Sequence, residues 1–195
     1  KKLAFIENPL PDIFPAAAVT QRSREILCAG RVINKNNIKR LLQAFSSIPQ
    51  EEIGLVIIGE GEAKTELEAY VRDLKKRNIR FEPALSRNEL TKRIARSYAM
   101  VFPSLTDISP NTMLDCIAAG TPFITSEEIG YDWVLKSAIH FDPRSTGDIK
   151  KALETIINAK GYEKAKEALT SLHYTYSFKQ AAKDTLHLFE KGADQ

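Results

Sequence analysis

From about residue 26 to residue 141, short apolar runs alternate with amphipathic stretches, and no other feature restricts the chain so strongly. Ile26 to Ala29, Leu55 to Ile58, Ile79 to Glu82, Ala99 to Pro103, Pro122 to Thr125 and Ala138 to Phe141 are nearly unbroken apolar runs. Strands covered on both faces need this composition. Between them, Ile38, Leu41, Leu42 and Phe45 share one face of a helix over Asn37 to Phe45, and Leu67, Val71 and Leu74 share one within Lys64 to Lys76. Arg87 to Arg96, Asn111 to Ala119, Asp132 to Leu135 and Asp148 to Ala159 extend the helical pattern, and Ser86 and Asn88 opposite Glu89 are candidate caps for the third helix. This alternation predicts repeated βαβ units: an α/β fold with a doubly wound, parallel, six-stranded sheet. From Tyr162 onward the pattern is helical only. It ends in an amphipathic helix, Lys179 to Lys191, expected to turn Ala182, Thr185, Leu186 and Phe189 inward. One domain with a C-terminal helical tail accounts for all 195 residues.

With 43% hydrophobic and 27% charged residues, a chain of this length can bury a sizeable core without disulfides. Its 28 basic and 25 acidic residues leave a net charge of +3, too small a bias to argue for a nucleic-acid partner but compatible with an anionic ligand. Cys28 lies in an apolar strand and Cys116 on a helix, as expected of inert core thiols in a reducing compartment. No apolar run approaches the roughly 18 residues of a membrane span, and Glu7-Asn8-Pro9 interrupts the only segment that could begin a signal peptide. The chain is therefore expected in the cytoplasm. Its first residue is Lys, which reads as a trimmed product or a piece of something longer.

In a doubly wound sheet the ligand crevice lies outside the carboxyl ends of the strands, so the turns that follow strands carry the candidates. Asp107 and Asp115 lie eight positions apart in the segment Pro103 to Ile124. There a strand leads through a loop into a helix that Ser109 can cap, with Pro110 at its first position and Gly120 at its end. Unpaired N–H groups and the positive dipole end of such a helix favour a phosphate. Asp115, two turns behind Asp107, could reach sugar hydroxyls beside it, and carboxylate next to helix N-terminus suggests a nucleotide sugar. The alternative is an ordinary helix with an acidic N-terminus. After the first strand, Gly30 permits close backbone approach, and Arg31 with Lys35 offers two cations to a diphosphate, unless both are merely solvated. Gly59-Glu60-Gly61-Glu62 lacks the third glycine of a phosphate loop and reads as a tight turn. Pro83-Ala84-Leu85-Ser86 could read a base edge through its backbone. His140, His173 and His187 fall in a strand end, a loop and the exposed face of the last helix, so no nucleophile–base constellation presents itself, and metal-ligand spacing is absent. Tyr131 and Trp133 are expected to pack rather than stack on a ligand, and the basic stretch from Arg72 to Arg80 reads as a solvated helix end.

Taken in order, these segments resemble the C-terminal, donor-binding domain of GT-B-fold family 4 (group 1) glycosyltransferases. Phe5-Ile6-Glu7-Asn8-Pro9 followed by Phe14 is similar to the interdomain "NPxD…F" segment of that family. Ile26 to Val32 looks like its first strand and "GRL" turn, Val56 to Gly61 like "IxGxG", and Phe81 to Ser86 with Glu89-Leu90 like "FxGxVS…EL". Pro103-Ser104 resembles the opening of "PSxxE", and Tyr176-Ser177-Phe178 the start of a tail that crosses back onto a partner domain. The resemblance implies one half of a GT-B fold, Rossmann-like, with 1–23 as interdomain segment, 174–195 as crossing helix and an acceptor-binding N-terminal domain absent from the chain. It implies transfer from a nucleoside diphosphate sugar to a glycan or glycolipid, with retention and without a metal or other cofactor. Asp107, Arg31 and Lys35 would be catalytic, and Gly30, Arg31, Lys35, Leu85, Ser109, Asn111, Thr112 and Asp115 would bind donor, with Asp115 on the ribose. Two departures stand out: both acids are Asp where the family has Glu, and the family's phosphate-binding Lys falls on Asn36, with Lys35 one residue early. The expected partners are a nucleotide sugar and an N-terminal acceptor-binding domain or separate acceptor subunit. Through that missing part the protein could sit at the inner membrane surface. Alone, the chain is expected to bind nucleotide weakly and transfer nothing. A second reading is a non-catalytic nucleotide-binding scaffold that pairs with an acceptor protein. A third, a sugar-nucleotide epimerase, requires further acid and base residues that the sequence does not offer.

Overall fold

The structure, a computed structural model, describes residues 6–11, 22–49, 52–108, 111–172 and 174–193. The readings placed on residues 1–5, Phe14, Ser109, Pro110 and His173 lie outside these residues.

Six strands, β1 (Glu25–Ala29), β2 (Gly54–Ile58), β3 (Ile79–Glu82), β4 (Ala99–Phe102), β5 (Phe123–Ser126) and β6 (Ile139–Phe141), form one sheet in the order β3-β2-β1-β4-β5-β6. Every adjacent pair is parallel. The pleat sends Ile26, Cys28, Leu55, Ile57 and Val101 into one apolar cluster and Leu27, Val56, Ile58, Met100 and Phe102 into another, on opposite faces. Helices α1 (Ile38–Ser46), α2 (Lys64–Asp73) and α6 (Thr146–Ile157) cover the first face, and α3 (Arg87–Arg96), α4 (Asn111–Ala119) and the short α5 (Asp132–Leu135) cover the second. Helix α7 (Ala159–Ser171) adds Ala165 to the first cluster and Leu169 to the second, and α8 (Phe178–Ala193) closes the chain.

Local signals set the helix starts. Ser86 and Glu89 form a reciprocal capping box at α3. The Ser145 hydroxyl accepts from Asp148 N at 3.1 Å, and the Asn158 side chain accepts from Lys160 N at 3.0 Å. These two caps correct the expected boundaries: α6 begins at Thr146 and ends at Ile157, and α7 begins at Ala159, ahead of Tyr162. The last helix needs a larger correction. Ala182 is exposed, and Leu186 and Phe189 are 62% and 72% exposed; only Thr185 of the expected inward set is half-buried. The periodicity identifies an apolar face but not what covers it, and the described residues put nothing over this one.

Ahead of β1, Arg22 spans the ends of two helices. Its guanidinium donates to the carbonyls of Ala95, Ser97, Ala119 and Gly120 and to the Thr121 hydroxyl, at 2.8–3.4 Å. The N-terminal segment runs beside the approach to α8: Leu10 N donates to Tyr176 O at 2.7 Å, and the Tyr174 hydroxyl donates to Asn8 O at 2.6 Å. At the top of the sheet the turns after β1 and β2 touch backbone to backbone. A Cβ on Gly59, where φ is +147°, would lie 1.9 Å from Gly30 O, so this glycine serves turn packing.

Candidate functional site

The strand order reverses between β1 and β4, where connections leave toward opposite sides and a crevice opens at the carboxyl ends. A cleft of about 470 Å³ occupies that place. Gly30 and Arg31 reach it from the end of β1, Lys35 and Asn36 from the single 3₁₀ turn Asn34–Asn36, Ser104 and Asp107 from the loop after β4, and Asn111 and Thr112 from the start of α4. Five predicted residues from three separate loops, Arg31, Lys35, Asp107, Asn111 and Thr112, thus share one wall-to-wall space, with Gly30 at its edge. Arg31 and Lys35 are exposed to solvent. Ser109 lies outside the described residues.

The loops are tied to one another. Leu105 N donates to Lys35 O at 3.0 Å, fastening the loop after β4 to the 3₁₀ turn. Asp107 pairs with the far side: its N donates to Glu128 O at 3.0 Å, and its carbonyl accepts from Gly130 N at 2.9 Å. A Cβ on Gly130 would lie 2.1 Å from Ile108 O, so only glycine allows this approach. Asn36 has its side-chain amide on Arg31 O at 2.6 Å, which leaves Lys35 as the cation of the turn that lines the cleft.

Asn37 is a residue that sequence reasoning did not single out. It adopts the left-handed conformation at φ 57°, ψ 26°, which Asn tolerates better than most side chains. Its buried amide donates to Pro103 O at 3.0 Å and Pro143 O at 2.7 Å, while its carbonyl accepts from Arg40 at 2.9 Å. One satisfied amide thus ties the turn ahead of α1 to Pro103, which lines the cleft, and to Pro143; the turn-prone string Asn34-Lys35-Asn36-Asn37 is the available signal.

A second, apolar-walled cavity of about 340 Å³ shares Ala29, Gly30 and Arg31 with the first and is bounded by Ala84, Leu85 and Leu90. Leu85 is thus placed here, away from Asp107. The expectation for Asp115 is corrected. It is fully buried, lines neither cavity, and both its carboxylate oxygens are taken by the Arg87 guanidinium. The side chain of Asp is short, and Arg87, at the first turn of α3, stands over it.

Burial pushes the Asp115 carboxyl above its ordinary 3.8, and Arg87 brings it only part of the way back. The folded state then holds this proton more readily than the unfolded chain, so ionisation costs stability. The cost is present in full above the folded pKa and is relieved as pH falls through it toward 3.8. Asp115→Asn abolishes the titration. Thermal unfolding should therefore show wild type faring better relative to the variant at about pH 4 than at about pH 7; a difference that grows with pH would contradict this assignment.

The remaining candidates behave structurally. Cys28 and Cys116 are buried free thiols; burial pushes Cys28 up to about 12 and Cys116 well above its usual value. Trp133 stacks on Tyr174 with centroids 4.6 Å apart and planes 6° apart, so it packs. Among the described residues, no group of three or more His, Cys, Asp or Glu is placed to hold a metal, and no helix is long and apolar enough to cross a membrane.

Residues 11–171, most of the chain, match the glycosyl transferases group 1 family. The chain belongs to that family. An uncharacterized glycosyltransferase of Methanocaldococcus jannaschii is 24% identical over 179 residues, a match covering 88% of this chain and 46% of the relative, so the chain spans about half the length of the curated relative it matches. Among solved structures, the C-terminal domain of a group 1 glycosyl transferase from Francisella tularensis superposes with a TM-score of 0.72 at 18% identity, over 80% of this chain and 88% of that one. The Anabaena protein HepE, solved in complex with UDP-glucose, superposes with a TM-score of 0.74 at 12% identity, over 90% of this chain and 50% of that one. At these identities the likeness is one of fold, and it matches this group 1 chain to half of the larger proteins.

Proposed function

We propose that this chain is the donor-binding half of a retaining glycosyltransferase that moves a sugar from a nucleoside diphosphate sugar to a glycan or glycolipid. The observation that carries the reading is the meeting of Arg31, Lys35, Asn111 and Thr112 in one cleft at the switch point of the sheet. Two cations and the start of a helix there favour the diphosphate, and favour it more as negative charge develops on the leaving group. Asp107, on the same cleft, would face the transferred sugar, and the neighbouring cavity at Leu85 would take the base. The chemistry proceeds without a metal in this reading, because the cations that stabilise the leaving group are side chains. Acceptor would enter from a second domain or subunit, which would also bring the protein to its membrane or glycan substrate from the cytoplasmic side.

Calorimetric titration with UDP, GDP and ADP tests the reading: one should bind, weakly, and none binding would overturn it. Incubated with donor and acceptor, the chain by itself is expected to transfer nothing; robust turnover would defeat the half-site account. One observation favours the second reading, a nucleotide-binding scaffold: Asn36 spends its amide on Arg31 O where a phosphate-binding lysine would stand. Lys35→Met discriminates the two, since loss of transfer by the assembled protein on that change requires a working leaving-group site.

A further inference from the structure

The N-terminal segment reaches a residue of the cleft through one side chain. Asn8 Nδ2 donates to Asn111 Oδ1 at 2.8 Å, across 103 residues of sequence. Asn111 begins α4 and lines both the cleft and a third cavity of about 380 Å³, whereas Asn8 lines that third cavity and not the cleft. Asn8 therefore meets Asn111 from outside the cleft. Backbone contacts hold it there: the Tyr174 hydroxyl donates to Asn8 O at 2.6 Å, the Tyr174 ring is stacked on Trp133, and Leu10 N donates to Tyr176 O at 2.7 Å.

We propose that Asn8 is a positioning residue of the donor site: by donating to the oxygen of the Asn111 carboxamide, it turns the Asn111 N–H2 group toward the cleft, where that group donates to the diphosphate. The inference rests on the donor-binding reading above. The terminal torsion of an Asn side chain is broad and roughly two-fold, so an unguided carboxamide presents its oxygen about as readily as its nitrogen. Only one of these suits a diphosphate. The amide oxygen would face the phosphate oxygens as acceptor against acceptor, whereas the N–H2 supplies donors. The Asn8 Nδ2 is itself a donor and takes the oxygen of Asn111 on the side away from the cleft; among the described residues no acceptor takes the Asn111 N–H2. The choice is thus made before the ligand arrives, and less side-chain freedom is lost on binding. Asn111 is exposed, so its orientation comes from this bond rather than from close packing around it.

The experiment is calorimetry with UDP, GDP and ADP on wild type, Asn8→Leu, Asn8→Asp, Asn111→Ala and the two double variants, with unfolding curves alongside. Asn8→Leu removes the donor at similar volume and should weaken the nucleotide that wild type binds by about three- to fivefold, the worth of one neutral hydrogen bond. Asn8→Asp should weaken it further, by about tenfold, because a carboxylate there draws the Asn111 N–H2 to itself and leaves the oxygen facing the cleft. On Asn111→Ala, the Leu change should have no effect and the Asp change only the smaller effect of its charge. Equal factors with and without Asn111 would show Asn8 acting through the fold or through charge alone, and would overturn the inference while the donor-binding reading stands. So would unchanged affinity in Asn8→Leu. Wild type supplies a readout that depends on no variant folding: the side-chain N–H2 resonances of Asn111 in nitrogen-edited NMR should shift when the nucleotide is added, and resonances that stay in place would also overturn it. Binding of none of the three nucleotides to wild type would instead sink the donor-binding reading itself, and this inference with it.

Discussion

Arg22→Met is expected to destabilise the chain by about 3–5 kcal/mol, which for a domain of this size lowers the unfolding midpoint by about 10 °C. Helices α3 and α4 both end against Arg22, and the last carbonyls of a helix have no partner within it. One guanidinium satisfies four carbonyls and a hydroxyl across those ends, and its positive charge meets two negative dipole ends together. Methionine fills much of the volume and returns none of these bonds. Arg24, two residues on, is the control. It pairs with Glu52 at 3.2 Å with both side chains largely exposed, so Arg24→Met should cost less than about 1 kcal/mol. Urea unfolding of the two variants beside wild type reads the difference; equal stability would show that the Arg22 bonds are replaced by water at no cost.

Arg31→Met should weaken nucleoside diphosphate binding by about 10- to 100-fold, the loss expected of one charge-assisted contact to phosphate. Its exposed side chain projects into the cleft, so the unfolding curve should stay where it is. Lys35→Met should weaken binding less, because an ammonium meets phosphate as a point charge without the paired geometry of a guanidinium. Raising salt should erode both increments together, since the two cations act on the same anion. Unchanged affinity in Arg31→Met, with the fold intact, would remove the diphosphate from this cleft.

The sheet was legible from the sequence because each strand is buried on both faces and so reads as an unbroken apolar run; β1 and β2 differ from the reading only by Glu25 and Gly54 at their starts. The helices whose apolar stripes meet the sheet were legible too. Where one helical stretch contains a second cap, as at Asn158, the break depends on a side-chain hydrogen bond that periodicity does not carry. In α8 the stripe is real, but Leu186 and Phe189 have no described surface to meet. At the site, the residues that follow strands converge because the topology of a parallel sheet brings all carboxyl ends to one edge. The direction of each side chain is another matter. The spacing from Asp107 suggests a ligand contact for Asp115, yet its neighbour in space is Arg87, 28 residues earlier, and no spacing rule announces such a pair. The same holds for Arg22, whose partners lie 73 to 99 residues away, and for the Asn37 contacts with Pro103 and Pro143.

The account stands on a diphosphate lying between the turn after β1 and the start of α4. Crystals of this chain soaked with UDP, GDP and ADP locate it directly. The pyrophosphate of the nucleotide that binds should appear within hydrogen-bond distance of the Arg31 guanidinium on one side and of the first residues of α4, at Asn111 and Thr112, on the other. Density for the nucleotide elsewhere on the molecule, with that cleft left to solvent, would contradict it.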